Sequence, residues 1–223
     1  VHISGGRFTM TGGKISENKA RCYGGGIAVY GGTVEISGGT IKANYAAQKS
    51  QPLHSSPPSY GDVGGGGIFV DKVDKKPGDT KFGTLTIKGS NEKPVVIAKN
   101  TADYGGGLYH YGNADIKYAE IKENTVTHDG GGMYNAGTCT MNYVTIQNNK
   151  AQSEGGGVYS NKELTLKNTT VTGNEATMSG GAIQIATADS VFNMSGSTVI
   201  TVEPSGVSGK PSKNDIYLTN TAF

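Results

Sequence analysis

The sequence predicts an all-β chain that folds as a right-handed parallel β-helix, a solenoid of about seven coils with about 25 residues in each. Three recurring features predict this fold: glycine triplets, pairs of an apolar residue and an asparagine, and short alternating segments. The triplets begin at Gly24, Gly65, Gly105, Gly130, Gly155 and Gly180, and the last four follow one another at intervals of 25 residues.

Each glycine triplet precedes a short predicted strand that begins with an apolar residue. These apolar residues are Ile27, Ile68, Leu108, Met133, Val158 and Ile183. Glycine permits positive φ and the close approach of neighbouring backbones, so we expect each triplet to form a corner of the coil.

The second feature is an apolar residue followed three positions later by asparagine. The pairs are Ile15/Asn18, Ile41/Asn44, Ile97/Asn100, Ile121/Asn124, Ile146/Asn149 and Val171/Asn174. Asparagine tolerates the left-handed conformation, and stacked asparagine amides form hydrogen bonds with one another. We therefore expect these residues to form a second corner, with hydrogen bonds from coil to coil.

The third feature is a short segment in which apolar and polar residues alternate. It occurs at 8–10, 34–36, 85–87, 114–116, 139–141, 164–166 and 192–194. A period of two indicates a strand with one buried face. Coils of this length cannot bury that face alone, but coils stacked in register bury a continuous column of apolar side chains.

Composition limits the classes of partner. The 223 residues carry 20 basic and 18 acidic side chains, and only Arg7 and Arg21 are arginine, so no basic surface for nucleic acid is expected. No apolar run approaches the ~20 residues that cross a bilayer, so we expect no direct membrane insertion of this segment. Cys22 and Cys139 lie about four coils apart and are predicted to be unpaired.

The chain starts in the middle of the repeat pattern, which predicts that residues 1–223 are one β-helix domain of a longer protein. Two segments interrupt the 25-residue rhythm, at 45–63 and at 71–83. They flank the same predicted strand, 66–70, and therefore should emerge at neighbouring corners. Loops on a rigid scaffold often carry recognition, although long solvated insertions are also tolerated without any function.

The glycine and asparagine motifs resemble the GGA[ILV] and FxxN repeats of chlamydial polymorphic outer membrane proteins, with Ile or Val in place of Phe. The units GGTVEISGGTIKANYA and GKPSKNDIYL are similar to glycine-rich repeats of surface proteins from spirochaetes and anaerobic bacteria. The resemblance covers about residues 5–218. It implies a pectin-lyase-like β-helix in a bacterial protein that is secreted or exposed at the cell surface or outer membrane, often a stalk or a virulence-associated adhesin.

Two outward-facing columns suggest candidate sites. The residues after the apolar strand starts are Ala28, Phe69, Tyr109, Tyr134, Tyr159 and Gln184. The four aromatic residues form either an exposed platform for a sugar chain or protein, or a stacking ladder that stiffens the sheet. The other column, Arg7, Thr33, Thr84, Asn113, Thr138 and Glu163, is predicted to be an ordinary solvated sheet face.

The sequence therefore predicts a non-catalytic domain for adhesion or ligand display, with a host glycoprotein or glycan as the expected partner. The candidate ligand-binding residues are His54, Tyr60, Phe69, Lys75, Lys76, Tyr109, Tyr134 and Tyr159. No metal site or cofactor is expected. An inert stalk and a polysaccharide lyase or glycoside hydrolase remain alternatives, although the paired carboxylates and motifs of such enzymes are not recognisable in the sequence.

Overall fold

The computed structural model of the protein describes residues 1–46, 63–74, 80–201 and 215–219. It confirms the predicted solenoid: parallel strands stack into about seven turns. The described residues include no helix that is long and apolar enough to cross a membrane.

The described residues form 27 strands, most of them two to five residues long. In chain order they are β1 (His2–Ser4), β2 (Arg7–Met10), β3 (Lys14–Ser16), β4 (Lys19–Ala20), β5 (Ile27–Tyr30), β6 (Thr33–Ile36), β7 (Thr40–Lys42), β8 (Tyr45–Ala46), β9 (Ile68–Asp74), β10 (Thr80–Phe82), β11 (Thr84–Lys88), β12 (Val95–Ala98), β13 (Thr101–Ala102), β14 (Leu108–His110), β15 (Asn113–Lys122), β16 (Thr125–Val126), β17 (Met133–Asn135), β18 (Thr138–Gln147), β19 (Lys150–Ala151), β20 (Val158–Ser160), β21 (Leu164–Lys167), β22 (Thr170–Thr172), β23 (Glu175–Ala176), β24 (Ile183–Ile185), β25 (Phe192–Ser195), β26 (Val199–Ile200) and β27 (Ile216–Leu218).

The strands form three sheets along the solenoid. The strands that follow the glycine triplets make the first sheet, in the order β1-β5-β9-β14-β17-β20-β24-β27, and β10 pairs antiparallel with β9. The alternating strands and the strands before each asparagine share the second sheet, in which β15 and β18 span both segments. The third sheet, β23-β19-β16-β13-β8-β4, was not predicted.

The third sheet consists of two-residue strands that follow the asparagines. Its inward side chains are small and form a separate buried cluster of Ala46, Ala102, Val126 and Ala151. Strands of two residues are too short to show a period in the sequence, which is why the pattern did not indicate them.

The predicted apolar columns form the main core. Ile97, Ile121 and Ile146 are fully buried and lie in register on adjacent strands, whereas Ile15 at the first coil is only partly buried. Cys139 is buried in the same core, and burial raises the pKa of its thiol, so it acts as a small apolar residue. Cys22 and Cys139 are free thiols.

The glycine triplets form tight corners, as predicted. Gly130 has a φ of 72°, in the left-handed region that favours glycine. A Cβ at Gly131 would lie 2.3 Å from the carbonyl oxygen of Gly156 in the next coil. The backbones of successive coils thus approach so closely that no side chain fits between them.

The asparagines form a continuous hydrogen-bonded stack, here called the asparagine ladder. Nδ2 of Asn100 donates to Oδ1 of Asn124 at 3.0 Å, and Nδ2 of Asn124 donates to Oδ1 of Asn149 at 2.9 Å. The same links join Asn18 to Asn44, Asn44 to Asn100 and Asn149 to Asn174. The expectation that asparagine itself takes the left-handed conformation is wrong, because the preceding residues take it, as at Lys99 and Glu123 with φ of 55° and 56°.

Candidate functional site: a groove at one corner of the solenoid

Phe69, Tyr109, Tyr134 and Tyr159, here called the aromatic strip, stack from coil to coil. The ring centroids of Tyr109 and Tyr134 are 4.5 Å apart and nearly parallel, and those of Tyr134 and Tyr159 are 4.7 Å apart. Phe69 and Tyr109 are each only 1% exposed, and Tyr134 is 9% exposed. The interpretation of the strip as an exposed platform is therefore wrong for these three rings.

A second layer of aromatic side chains covers the strip. Tyr23 stacks on Phe69 at 4.5 Å, Tyr104 meets Tyr134 edge to face at 5.8 Å, and Tyr111 lies 5.2 Å from Tyr109. These rings form an apolar cluster outside the first sheet. The strip thus stabilises the packing of coil on coil, as aromatic pairs generally do.

Tyr159 is the most exposed member of the strip. Partial burial, with the nearby carboxylates of Asp129 and Glu154, raises the pKa of its phenol to about 12, so the hydroxyl stays protonated at neutral pH. Ligand binding by Phe69, Tyr109, Tyr134 and Tyr159 remains a prediction.

The two insertions are described only in part. Tyr45 and Ala46 belong to β8, so the solenoid continues into the first predicted insertion. His54 and Tyr60 lie outside the described residues, as do Lys75 and Lys76. The second insertion extends β9 and returns through β10, forming an antiparallel pair at the corner between the first and second sheets.

A groove of about 650 Å³ lies at this same corner and is here called the corner groove. Gly112 and Gly137 lie on its floor, between β14 and β15 and between β17 and β18. A Cβ at Gly137 would lie 2.1 Å from the carbonyl oxygen of Gly112, so the two glycines are stacked too closely for a side chain at Gly137. The absence of side chains at Gly112 and Gly137 leaves space for the groove.

Two extra pieces of chain border the ends of the corner groove. Phe82, at the end of β10, is 50% exposed and lies near Tyr111 at one end. At the other end the connection from β24 to β25 contributes Asp189 and Val191. This connection forms a turn, in which the amide of Ser190 donates to the carbonyl of Thr187.

One side of the corner groove carries a regular polar column. Asn113, Thr138 and Glu163 are exposed and occupy the position before the first inward residue of successive coils. Lys162 lines the groove beside Glu163. Within the part of the chain that the structure describes, no ion pair involves Lys162, Glu163 or Asp189, so these charges face the solvent in the groove.

A buried polar column supports the groove from inside. Asn135 donates from Nδ2 to Oγ of Ser160 and to the carbonyl of Glu163, both at 2.9 Å, and its Oδ1 accepts from the amide of Gly137 at 3.2 Å. Ser160 donates to the carbonyl of Lys162 at 3.3 Å. These bonds fix the backbone that presents the groove side chains.

His110 occupies the same buried column in the preceding coil. It is fully buried beside the backbone of Gly112 and the side chain of Asn135, but neither ring nitrogen makes a well-formed hydrogen bond to a described residue. Burial is the main cause that lowers its pKa to about 4, and the neighbouring polar groups oppose the shift. The imidazole is therefore neutral in the folded chain at neutral pH.

We expect the free energy of unfolding to decrease as the pH falls from about 6.5 to about 4. The folded pKa of His110 lies below its unfolded value of 6.5, so the unfolded chain binds the proton first. The contribution of neutral His110 to the free energy of unfolding is fully present above pH 6.5. The shift of its pKa from 6.5 to about 4 corresponds to a loss of about 3 kcal/mol when the pH has fallen below about 4. Urea unfolding at several pH values measures it.

The His110→Asn variant provides the comparison, because asparagine occupies the same position in the next coil. It should lose less stability than the wild type over this pH range. Equal losses in the wild type and His110→Asn would contradict the assignment.

Sequence reasoning missed the corner groove. Asn113, Thr138 and Glu163 stand out in the sequence as an outward column, but by themselves they indicate only an ordinary solvated face. The sequence feature that could have revealed the groove is that two irregular segments, one ending at Phe82 and one containing Asp189, interrupt the repeat just before the strands on either side of this column. The described residues contain no group of three or more metal-ligating side chains, and the chemistry that the groove offers is hydrogen bonding and aromatic contact.

Comparison with known proteins supports the resemblance that the motifs suggested. The model of the Chlamydia polymorphic membrane protein repeat matches residues 143–161. This stretch contains Ile146, Asn149 and the triplet that begins at Gly155, the two features on which the resemblance depends. No curated protein and no solved structure matches the chain. The chain is thus similar to the Chlamydia polymorphic membrane protein repeat over residues 143–161.

Proposed function

We propose that this chain is a non-catalytic part of a bacterial surface protein that acts in adhesion, with a host glycoprotein or glycan as its partner. The observation that carries the proposal is the corner groove, an open site with exposed aromatic and polar side chains on a stack of rigid coils. The match to a membrane protein repeat suggests association with the surface or outer membrane.

The solenoid is suited to present such a site. Asn113 and Thr138 are placed by the register of β15 and β18, which pair over nine residue pairs from Asn113↔Thr138 to Lys122↔Gln147. The asparagine ladder fixes a second corner of the same coils. Preorganised side chains lower the conformational entropy lost on binding, and this favours recognition on a scaffold of this kind.

The test is binding of purified residues 1–223 to cultured epithelial cells and to immobilised host glycoproteins. We expect saturable binding that disappears when the chain is thermally unfolded. Absence of saturable binding would contradict adhesion and favour an inert stalk.

The two carboxylates in the groove, Glu163 and Asp189, give the enzyme alternative a specific form. A hydrolase or lyase would release oligosaccharides from neutral or uronate polymers, and its activity would fall with Glu163→Gln. We expect no product release, with or without added calcium. Release that depends on Glu163 would overturn the non-catalytic proposal.

A further inference from the structure

The corner groove runs parallel to the solenoid axis. Its lining residues extend from Phe82, next to β11, to Val191, next to β25, and so cross five consecutive strands of the second sheet, β11-β15-β18-β21-β25. Four intervals of about 4.8 Å give a length of about 19 Å. A ligand that fills the groove is therefore a chain that lies along the axis and passes one coil after another.

The backbone around the groove has few unpaired N–H and C=O groups with which an extended peptide could form hydrogen bonds. Beside it, the amide of Ala136 donates to the carbonyl of His110, and the amide of Thr138 donates to the carbonyl of Gly112. These bonds run along the axis between coils, and strand addition requires a free edge whose N–H and C=O groups are unpaired. Recognition in the groove therefore depends on its side chains.

The charges that line the groove disfavour a polyanion. Lys162 is the one basic side chain among the lining residues, and it lies beside Glu163, while Asp189 adds a second carboxylate. Like charges brought together without compensation oppose association. Uronate polymers, sulfated chains and phosphate backbones are thus poorly matched to this surface.

The groove side chains match a chain of sugar rings. Phe82 is half exposed and gives an apolar surface for the C–H face of a pyranose ring. Tyr111 also lines the groove, and its hydroxyl lies 2.7 Å from the hydroxyl of buried Tyr109, which holds its ring in place. The buried aromatic strip thereby supports an aromatic side chain of the groove.

Asn113, Thr138 and Glu163 provide an amide, a hydroxyl and a carboxylate at the interval of the coils. Together they donate and accept hydrogen bonds, which suits the hydroxyl groups of a sugar. Few precisely placed polar groups beside apolar rings are typical of small-ligand sites.

We infer that the corner groove binds a neutral glycan chain that lies along the solenoid axis, with its rings against Phe82 and Tyr111 and its hydroxyl groups against the polar column. This inference rests on the proposed function in adhesion and adds the site and the chemical class of the ligand.

The test uses a panel of short neutral oligosaccharides (chito-, cello- and malto-oligosaccharides and neutral glycans released from mammalian glycoproteins), with oligogalacturonates and an extended peptide library as comparisons. Residues 1–223 are titrated calorimetrically with each. Thr138→Arg places a long side chain in the groove, and its matched control is Thr140→Arg, at an exposed position of the same strand outside the groove lining.

We expect at least one neutral oligosaccharide to bind, with the affinity reduced by about tenfold or more in Thr138→Arg, a change of about 1.4 kcal/mol, and nearly unchanged in Thr140→Arg. Removal of the apolar surface in Phe82→Ala should also weaken binding. Preference for oligogalacturonate or peptide, or equal effects of the two arginine variants, would overturn the inference.

Cell binding separates this inference from the proposed function. If Thr138→Arg binds epithelial cells as tightly as the wild type, adhesion stands and the groove assignment is wrong. If the wild type binds a neutral oligosaccharide in a manner sensitive to Thr138→Arg but does not bind cells, the groove assignment stands and the adhesion proposal is wrong.

Discussion

The Ile121→Asp variant is expected to lose the cooperative folding of the central coils. Ile121 is fully buried in β15, where it lies between Ile97 and Ile146 of the adjacent coils. An aspartate there would be a buried charge without a partner, and its cost is comparable with the whole stability of a typical domain, about 5–15 kcal/mol. Thermal unfolding followed by circular dichroism measures the effect.

The matched control is Ile15→Asp, which introduces the same change into the same column at the first coil. Ile15 is only partly buried, so the new carboxylate can reach water and the damage should stay local. If Ile121→Asp melted as cooperatively as the wild type at a similar temperature, the assignment of this column to the core would be wrong.

The Asn124→Ala variant is expected to be destabilised by about 3–5 kcal/mol. Oδ1 of Asn124 accepts from the backbone amide of Asn100 at 2.9 Å, and Nδ2 donates to the carbonyl of Ile97 at 3.1 Å, in addition to the ladder bonds. Alanine leaves these buried backbone groups without their partners, at about 1–3 kcal/mol each. Urea unfolding gives the difference in free energy.

The Asn18→Ala variant is the control for the asparagine ladder. Asn18 is exposed at the end of the stack, and its Nδ2 donates to the carbonyl of Ser16 and to Oδ1 of Asn44. In the alanine variant Oδ1 of Asn44 still accepts from the backbone amide of residue 18, so no buried group loses its last partner. We expect a loss of less than about 1 kcal/mol there. Equal losses at Asn18 and Asn124 would show that the ladder does not stabilise the stack through its buried hydrogen bonds.

The solenoid could be predicted because its determinants recur in every coil. Ile121, three positions before Asn124, and the glycines before Met133 have counterparts at a fixed period along the chain. In stacked coils the same position has the same surroundings in each coil, so the same type of residue is required there. One corner escaped this reasoning: Tyr118 and Tyr143 occupy left-handed positions with φ of 51° and 55°, where glycine or asparagine would be expected. Their rings stack at 4.9 Å, a contact that only the register reveals.

The aromatic strip shows a different limit. Its coil-to-coil spacing follows from the repeat, but its burial depends on Tyr23, Tyr104 and Tyr111. Tyr23 and Tyr104 each come directly before a glycine triplet, but the other coils have Gly64, Asp129, Glu154 and Ser179 at this position. An aromatic residue that occurs in only two coils does not stand out as a repeated feature. The corner groove was missed for a related reason, since its ends come from insertions at Phe82 and Asp189, whose alignment at one corner appears only in the folded chain.

The most direct test of the corner groove as the binding face is a nuclear magnetic resonance titration of residues 1–223 with the neutral oligosaccharide that binds most tightly. We predict the largest amide shift changes at Gly112, Thr138 and Glu163, and small changes at Phe69 and Tyr134, whose side chains are covered. If the largest amide shift changes lay on the aromatic strip and the groove amides did not shift, the assignment of the corner groove as the binding face would be contradicted.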